Sequence, residues 1–259
     1  MTQSDGQPLD ISKLRQEIDR VDTALLSLIA ERLDLARSVR DAKSGSRVWR
    51  PSREDSLIRH LADISGDTSA HLVSRIWAEL MSASLALQGP IRLHIALEGD
   101  AVDVWSLVRD RFGAAIPMSS YPTASSALAA AYSDPEGVAI LPSPQGMNTW
   151  WSALCEGGAM PDMHILAGLP RVSADQWPRA VAVSTVDVVP SNDDRLLLTL
   201  EQSDALHNLG ISGKLKAESG PKKLIWLESG QTLDIIEQIE AQDPTAKFIG
   251  YLSLPLSES

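Results

Sequence analysis

From Asp10 to Lys43 the chain runs DISKLRQEIDRVDTALLSLIAERLDLARSVRDAK, without Gly or Pro, and Leu14, Ile18, Val21, Leu25, Leu28, Ile29, Ala36 and Val39 recur at helical spacing. That pattern predicts one uninterrupted amphipathic helix. At 1.5 Å per residue it would be ~50 Å long, more than the width of one domain of this size, so its apolar stripe calls for a second chain. Between Leu9 and Gly89 the punctuators are Pro51, Gly45 and Gly66, which divide the rest of this region into helices over about 52–64 and 69–88. Ser52 reads as the N-cap of the second, with Glu54 and Asp55 in its first turn, and Thr68 or Ser69 as the start of the third.

From Pro90 onward the texture changes. All but two of the fifteen prolines lie at or after that residue, and Gln88-Gly89-Pro90 reads as a domain boundary. IRLHIAL (strand), Val102 to Phe112 (helix), AIPMSSY (strand), TASSALAAAY (helix) and GVAILP (strand) then alternate as in an α/β lobe with a partly parallel sheet. Residues 160–192 give only RAVAVSTVDVV as a clear strand. The last segment, LLLTLE, SDALHNL, ISGKLKA, KKLIWLE, TLDIIEQIEAQ and KFIGYLSL, has the β-α-β-β-α-β order of a small ferredoxin-like α+β domain. The expected domains are 1–90, 91–192 and 193–259.

Composition adds limits. With 259 residues, 44% of them hydrophobic and 22% charged, the chain can form two or three ordinary globular domains. The polar opening and the lack of an eighteen-residue apolar run argue against a signal peptide or a span. Cys155 is the single cysteine, so no intrachain disulfide forms, and a reduced cytoplasm fits. The net charge is −11, with 12 Lys/Arg against 13 Asp/Glu in residues 1–90 and 11 against 21 in 91–259. Such a chain is a poor nucleic-acid binder, and the cations of its first part suit a small anion better than a polyanion.

Those cations sit in unusual places. Arg32 and Lys43 are three turns apart and share a face with Leu25, Leu28 and Ile29, where two cations call for an anion. Arg15 lies seventeen residues before Arg32, ~25 Å along the axis and ~100° round it, and cannot reach an ion held there by its own helix. On the third helix Ser84 and Gln88 continue the apolar face of Trp77 and Met81. Arg53 and Glu54 open the second. Singly, each is ordinary helix decoration; as a set they outline a polar site on apolar faces. No phosphate cradle, nucleotide fingerprint or triad is present, and the five His residues have no ligand spacing, so neither metal nor cofactor is expected.

The pattern LxxLRxxIDxxDxxLLxLLxxRxxLAxxVxxxK, then PxRE, then SxxxQ, is met by Leu14-Arg15, Ile18-Asp19, Asp22, Leu25-Leu26, Arg32, Leu35-Ala36, Val39, Lys43, Pro51, Arg53-Glu54, Ser84 and Gln88. On these residues the segment 9–88 resembles the all-helical class of chorismate mutases. The resemblance implies three helices in an intertwined homodimer that converts chorismate to prephenate without a cofactor, for phenylalanine and tyrosine biosynthesis. It implies that Arg32, Lys43 and Arg53 bind the carboxylates, with Ser84 supporting and Arg15 entering from the other subunit. It further implies that Lys43 and Gln88 donate to the ether oxygen and that Glu54 holds the ring hydroxyl.

GVAILPSPQGMNTWWSAL is similar to a segment of prephenate dehydratases, and SDALHNL, AESGP and KFIGYLSL are similar to the ACT domain that follows them. The dehydratase signatures are replaced, by Leu97-Glu98-Gly99-Asp100 and by Pro142-Ser143-Pro144, so a degenerate lobe without dehydratase activity is expected. The tail implies either an aromatic amino acid effector or a purely structural role. Two other readings stay open: isochorismate pyruvate lyase on the same helical fold, and a catalytically inactive sensor of an aromatic metabolite.

Overall fold

The computed structural model describes residues 10–42, 49–89, 91–191, 193–202, 204–228 and 233–257. By packing, the chain divides into two compact units, Met1–Gly45 and Ser46–Ser259. No helix among the described residues is long and apolar enough to cross a membrane.

The smaller unit is one helix, α1 (Ile11–Ala42), 32 residues and about 48 Å long. It runs as the unbroken stripe predicts. Leu14, Ile18, Val21, Leu25, Leu28 and Val39 of that stripe are 42–61% exposed in the single chain.

In the larger unit α2 (Pro51–Asp63) and α3 (Ala70–Gln88) share an apolar cluster of Ile58, Ala62, Ala70, Trp77 and Met81 with Val172 and Leu256. Their limits follow the sequence, with one correction at the start of α2. Pro51, not Ser52, opens the helix, because its missing N–H is one that a first turn leaves unbonded anyway. The Ser52 hydroxyl donates instead to Asp194 Oδ2 at 2.6 Å. Ser69 caps α3, accepting from the Leu72 N–H.

The α/β part is built on one nine-stranded sheet. Its strands are β1 (Arg92–Ile95), β2 (Met118–Ser120), β3 (Gly137–Pro142), β4 (His164–Leu169), β5 (Ala180–Ser184), β6 (Asp194–Leu200), β7 (Gly213–Ser219), β8 (Lys222–Leu227) and β9 (Lys247–Ser253). They lie in the order β2-β1-β3-β5-β4-β9-β6-β8-β7. β1 pairs parallel with β2 and β3 through the crossover helices α4 (Ala101–Phe112) and α5 (Ala124–Ser133), as the alternating segments predict. The last four strands, with α6 (Asp204–Asn208) and α7 (Asp234–Gln242), form the expected β-α-β-β-α-β unit in antiparallel order β9-β6-β8-β7.

Both faces of the sheet are covered, which is why GVAILP is a continuous apolar run rather than an alternating one. Val138 and Ile140 face a core with Val108, Phe112 and Ile239. Ala139 and Leu141 face the other, with Leu128, Trp151 and Leu154.

β4 is the strand that composition leaves unplaced, and it joins the two halves by pairing antiparallel with β5 and parallel with β9. The backbones approach so closely that a Cβ on Gly250 (φ +142°) would stand 2.0 Å from the Ile165 carbonyl oxygen. Gly250→Ala is therefore expected to lose about 2–4 kcal/mol of stability from strain and overpacking together, read from urea unfolding. A loss below about 0.5 kcal/mol would contradict this account of the junction.

Candidate active site

In the smaller unit Arg15 is exposed on α1 and Arg32 is half-buried. Ion pairs along the same helix join Arg20 to Glu17 and Arg37 to Asp34; Arg15 takes part in none found among the described residues. Lys43 lies outside the described residues. In the larger unit α2 carries Arg53, exposed, and Glu54, whose side chain is 14% exposed. On α3 Ser84 is buried and its hydroxyl donates to the Leu80 carbonyl at 2.7 Å, while Gln88 is the helix's last residue. Arg15 and Arg32 thus lie on α1, Arg53 and Glu54 on α2, and Ser84 and Gln88 on α3, and α2 packs on α3.

The electrostatics around Glu54 are set by Asp55, which the sequence marks only as a first-turn acid, and by two arginines that it does not single out. Asp55, the next residue, is buried, and its Oδ1 accepts from Nη1 of Arg111 on α4 and from Nε of Arg171 at 2.9 Å. Nη2 of Arg171, just past β4, lies 3.5 Å from Oε2 of Glu54. The two guanidiniums are almost completely buried, 1% and 4% exposed in their side chains, and Nη1 and Nη2 of Arg171 have no hydrogen-bond partner among the described residues.

Two cations face two carboxylates, but unevenly, since both arginines bond one oxygen of Asp55. Burial works to raise the Asp55 carboxyl, but Arg111 and Arg171 outweigh it and hold it below the ordinary value. For Glu54 burial wins, and the carboxyl sits above its ordinary value although Arg111 and Arg171 oppose the shift. Burial and the neighbouring Arg111 push Arg171 down to about 10, which leaves it charged at neutral pH.

Arg111 had a legible signal, because it shares the buried face of α4 with Leu107, Val108 and Phe112, where a lone cation needs a counter-charge. Arg171 had none. It stands in an irregular segment, and its partner Asp55 is 116 residues earlier in the chain.

Chemically, the set offers cations, neutral donors and a half-sequestered carboxylate. It holds no activated nucleophile: Cys155 is buried in the lobe, and burial raises its thiol pKa. Such a set suits clamping an anion in one conformation better than covalent catalysis.

Comparison with known proteins agrees for the helical part. Residues 14–89 match the family described as chorismate mutase type II. A bifunctional chorismate mutase/prephenate dehydratase of Neisseria gonorrhoeae is 32% identical over 80 residues, which cover 30% of this chain and 22% of that one. The chain spans only about a quarter of the length of the curated relatives it matches. Among solved structures, a quorum-quenching acylase aligns at TM-score 0.45 and 11% identity over 64% of this chain and 96% of that one. A prephenate dehydratase from Streptococcus mutans aligns at TM-score 0.45 and 12% identity, over 64% of this chain and 100% of its own.

Proposed function

We propose that this protein converts chorismate to prephenate by a unimolecular pericyclic rearrangement, and that its helical region, a chorismate mutase type II domain, supplies the site. The match over residues 14–89 carries this reading, because that segment contains Arg15, Arg32, Lys43, Arg53, Glu54, Ser84 and Gln88. Arg15, Arg32, Lys43 and Arg53 take the two carboxylates, with Ser84 in support, and fold a flexible dianion into its compact reactive conformer. Lys43 and Gln88 donate to the ether oxygen, where negative charge gathers as the C–O bond breaks, so their bonds are strongest in the transition state. Glu54 accepts the ring hydroxyl. No proton is transferred and no group leaves.

The same reading makes the working form a homodimer, which is how the open stripe of α1 would be covered. As functional segments we take 1–90 for the mutase, 91–192 for a dehydratase-like lobe and 193–259 for an ACT-like tail that either takes an aromatic amino acid effector or is purely structural. A cytoplasmic location and a place in aromatic amino acid biosynthesis follow from that assignment.

The test is direct. Purified protein is expected to consume chorismate with stoichiometric formation of prephenate, unaffected by a chelator, and prephenate is expected to accumulate without passing on to phenylpyruvate. Pyruvate release from isochorismate with no turnover of chorismate would replace the proposal with the lyase reading.

A further inference from the structure

Arg171 lies outside the segment that matches the mutase family, yet its guanidinium reaches the one carboxylate of the proposed site. The contact is built, not incidental. Nε is fixed at 2.9 Å on Asp55, the residue next to Glu54 on α2, and this turns Nη2 toward Glu54 Oε2 at 3.5 Å. With Nη1 and Nη2 lacking a hydrogen-bond partner among the described residues and the side chain 4% exposed, the guanidinium has donors to offer in a buried setting. Unmet buried donors of this kind seek an acceptor.

The segment that carries Arg171 is itself anchored. The Arg171 carbonyl accepts from the Leu256 N–H at 2.9 Å, and Val172 packs with Ile58 of α2 and Met81 of α3.

We propose that Arg171 is a positioning residue for Glu54, and that the α/β lobe thereby completes the mutase site. This rests on the assignment of chorismate mutase activity made above. Arg171 takes one carboxylate oxygen and leaves the other to accept the substrate's ring hydroxyl. The lobe is then a working part of the site and no passenger.

A structural tie and a positioning role make different predictions for a double-mutant cycle. Arg171→Met is expected to lower kcat/KM roughly tenfold in the wild-type background and less than about twofold in a Glu54→Gln background, because the group it positions is already gone. The charged groups facing Glu54 are Asp55, Arg111 and Arg171. With Arg171 removed, one of the two opposing cations is lost, so the acid limb of the pH profile of kcat/KM is expected to move to higher pH.

Arg59→Met is the control. Its guanidinium ties α2 to the Leu254 carbonyl without touching Glu54, and activity is expected to stay within about twofold of wild type. Should Arg171→Met not fold, Arg171→Lys, which keeps the charge but cannot hold Asp55 and Glu54 through separate nitrogens of one fork, serves in the same cycle, with the coupling and not the pH profile as its readout. Wild-type protein that left chorismate unchanged would overturn the proposed function and this assignment with it. An active wild type with additive losses, an unmoved pH profile, or an Arg59→Met loss as large as that of Arg171→Met would overturn this assignment alone.

Discussion

Asp55→Asn is expected to be less stable than wild type by about 3–5 kcal/mol at pH 7, because it removes the shared negative charge that faces two buried guanidiniums. The size follows from what remains. Among the described residues Glu54 is then the carboxylate left in an ion pair with Arg171, and breaking a buried pair costs more than the pair contributed.

The difference should also depend on pH, with a definite sign. The folded pKa of Asp55 lies below its ordinary value of 3.8, so its contribution is fully present above 3.8 and is lost as pH falls through the folded value. Glu54, shifted upward, works the other way: its preference for the folded state is present at low pH and fades as pH rises through its raised pKa. Asp55 is itself one of the charges that raise Glu54, so the variant also changes the Glu54 carboxyl, and the part of the gap that belongs to Asp55 is read below pH 3.8. The gap between wild type and Asp55→Asn is expected to narrow as pH falls below about 3.8. A variant within 1 kcal/mol of wild type at pH 7, or a gap that failed to narrow below about pH 3.8, would contradict the charge network described.

How far the sequence carries is visible at Glu54. Its position on α2 was legible, since Pro51 and the helical spacing set the helix and place Arg53 and Glu54 in the first turn. Its surroundings were not. They depend on Arg171 and Arg111, brought in from distant points of the chain by a sheet whose central strand gave no periodic signal. β4, HILAGL, is buried on both faces and contains Gly168, so it shows neither alternation nor a run of β-branched residues. The ferredoxin-like tail was legible because its segments are short, bounded by turn residues and amphipathic where they are helical. The polar positions of the first 90 residues stand out in the sequence for a different reason: charges on an apolar stripe are costly unless a ligand or partner meets them, so they interrupt the periodicity that surrounds them.

Arg15→Ala and Lys43→Ala should each be nearly inactive as homodimers, yet recover activity when mixed. Arg15 is seventeen residues before Arg32 on a helix that runs straight through both, so it stands ~25 Å from that end of α1 and cannot serve the same ligand. Two α1 helices packed antiparallel about a two-fold axis would bring each Arg15 to the other chain's site and would cover the open stripe of Leu14, Ile18, Val21, Leu25 and Leu28 at the same time. In each variant homodimer both sites then lack one cation. In a heterodimer one site has the intact Lys43 of one chain and the intact Arg15 of its partner, while the other site lacks both. Random pairing makes half of the dimers mixed, and half of their sites are whole, which gives roughly a quarter of wild-type turnover after co-refolding. If Arg15 served its own chain, no heterodimer would have a complete site. Well-folded dimers shown to have exchanged subunits but without regained activity would therefore eliminate the shared site, and with it the need for α1 to pair in this way.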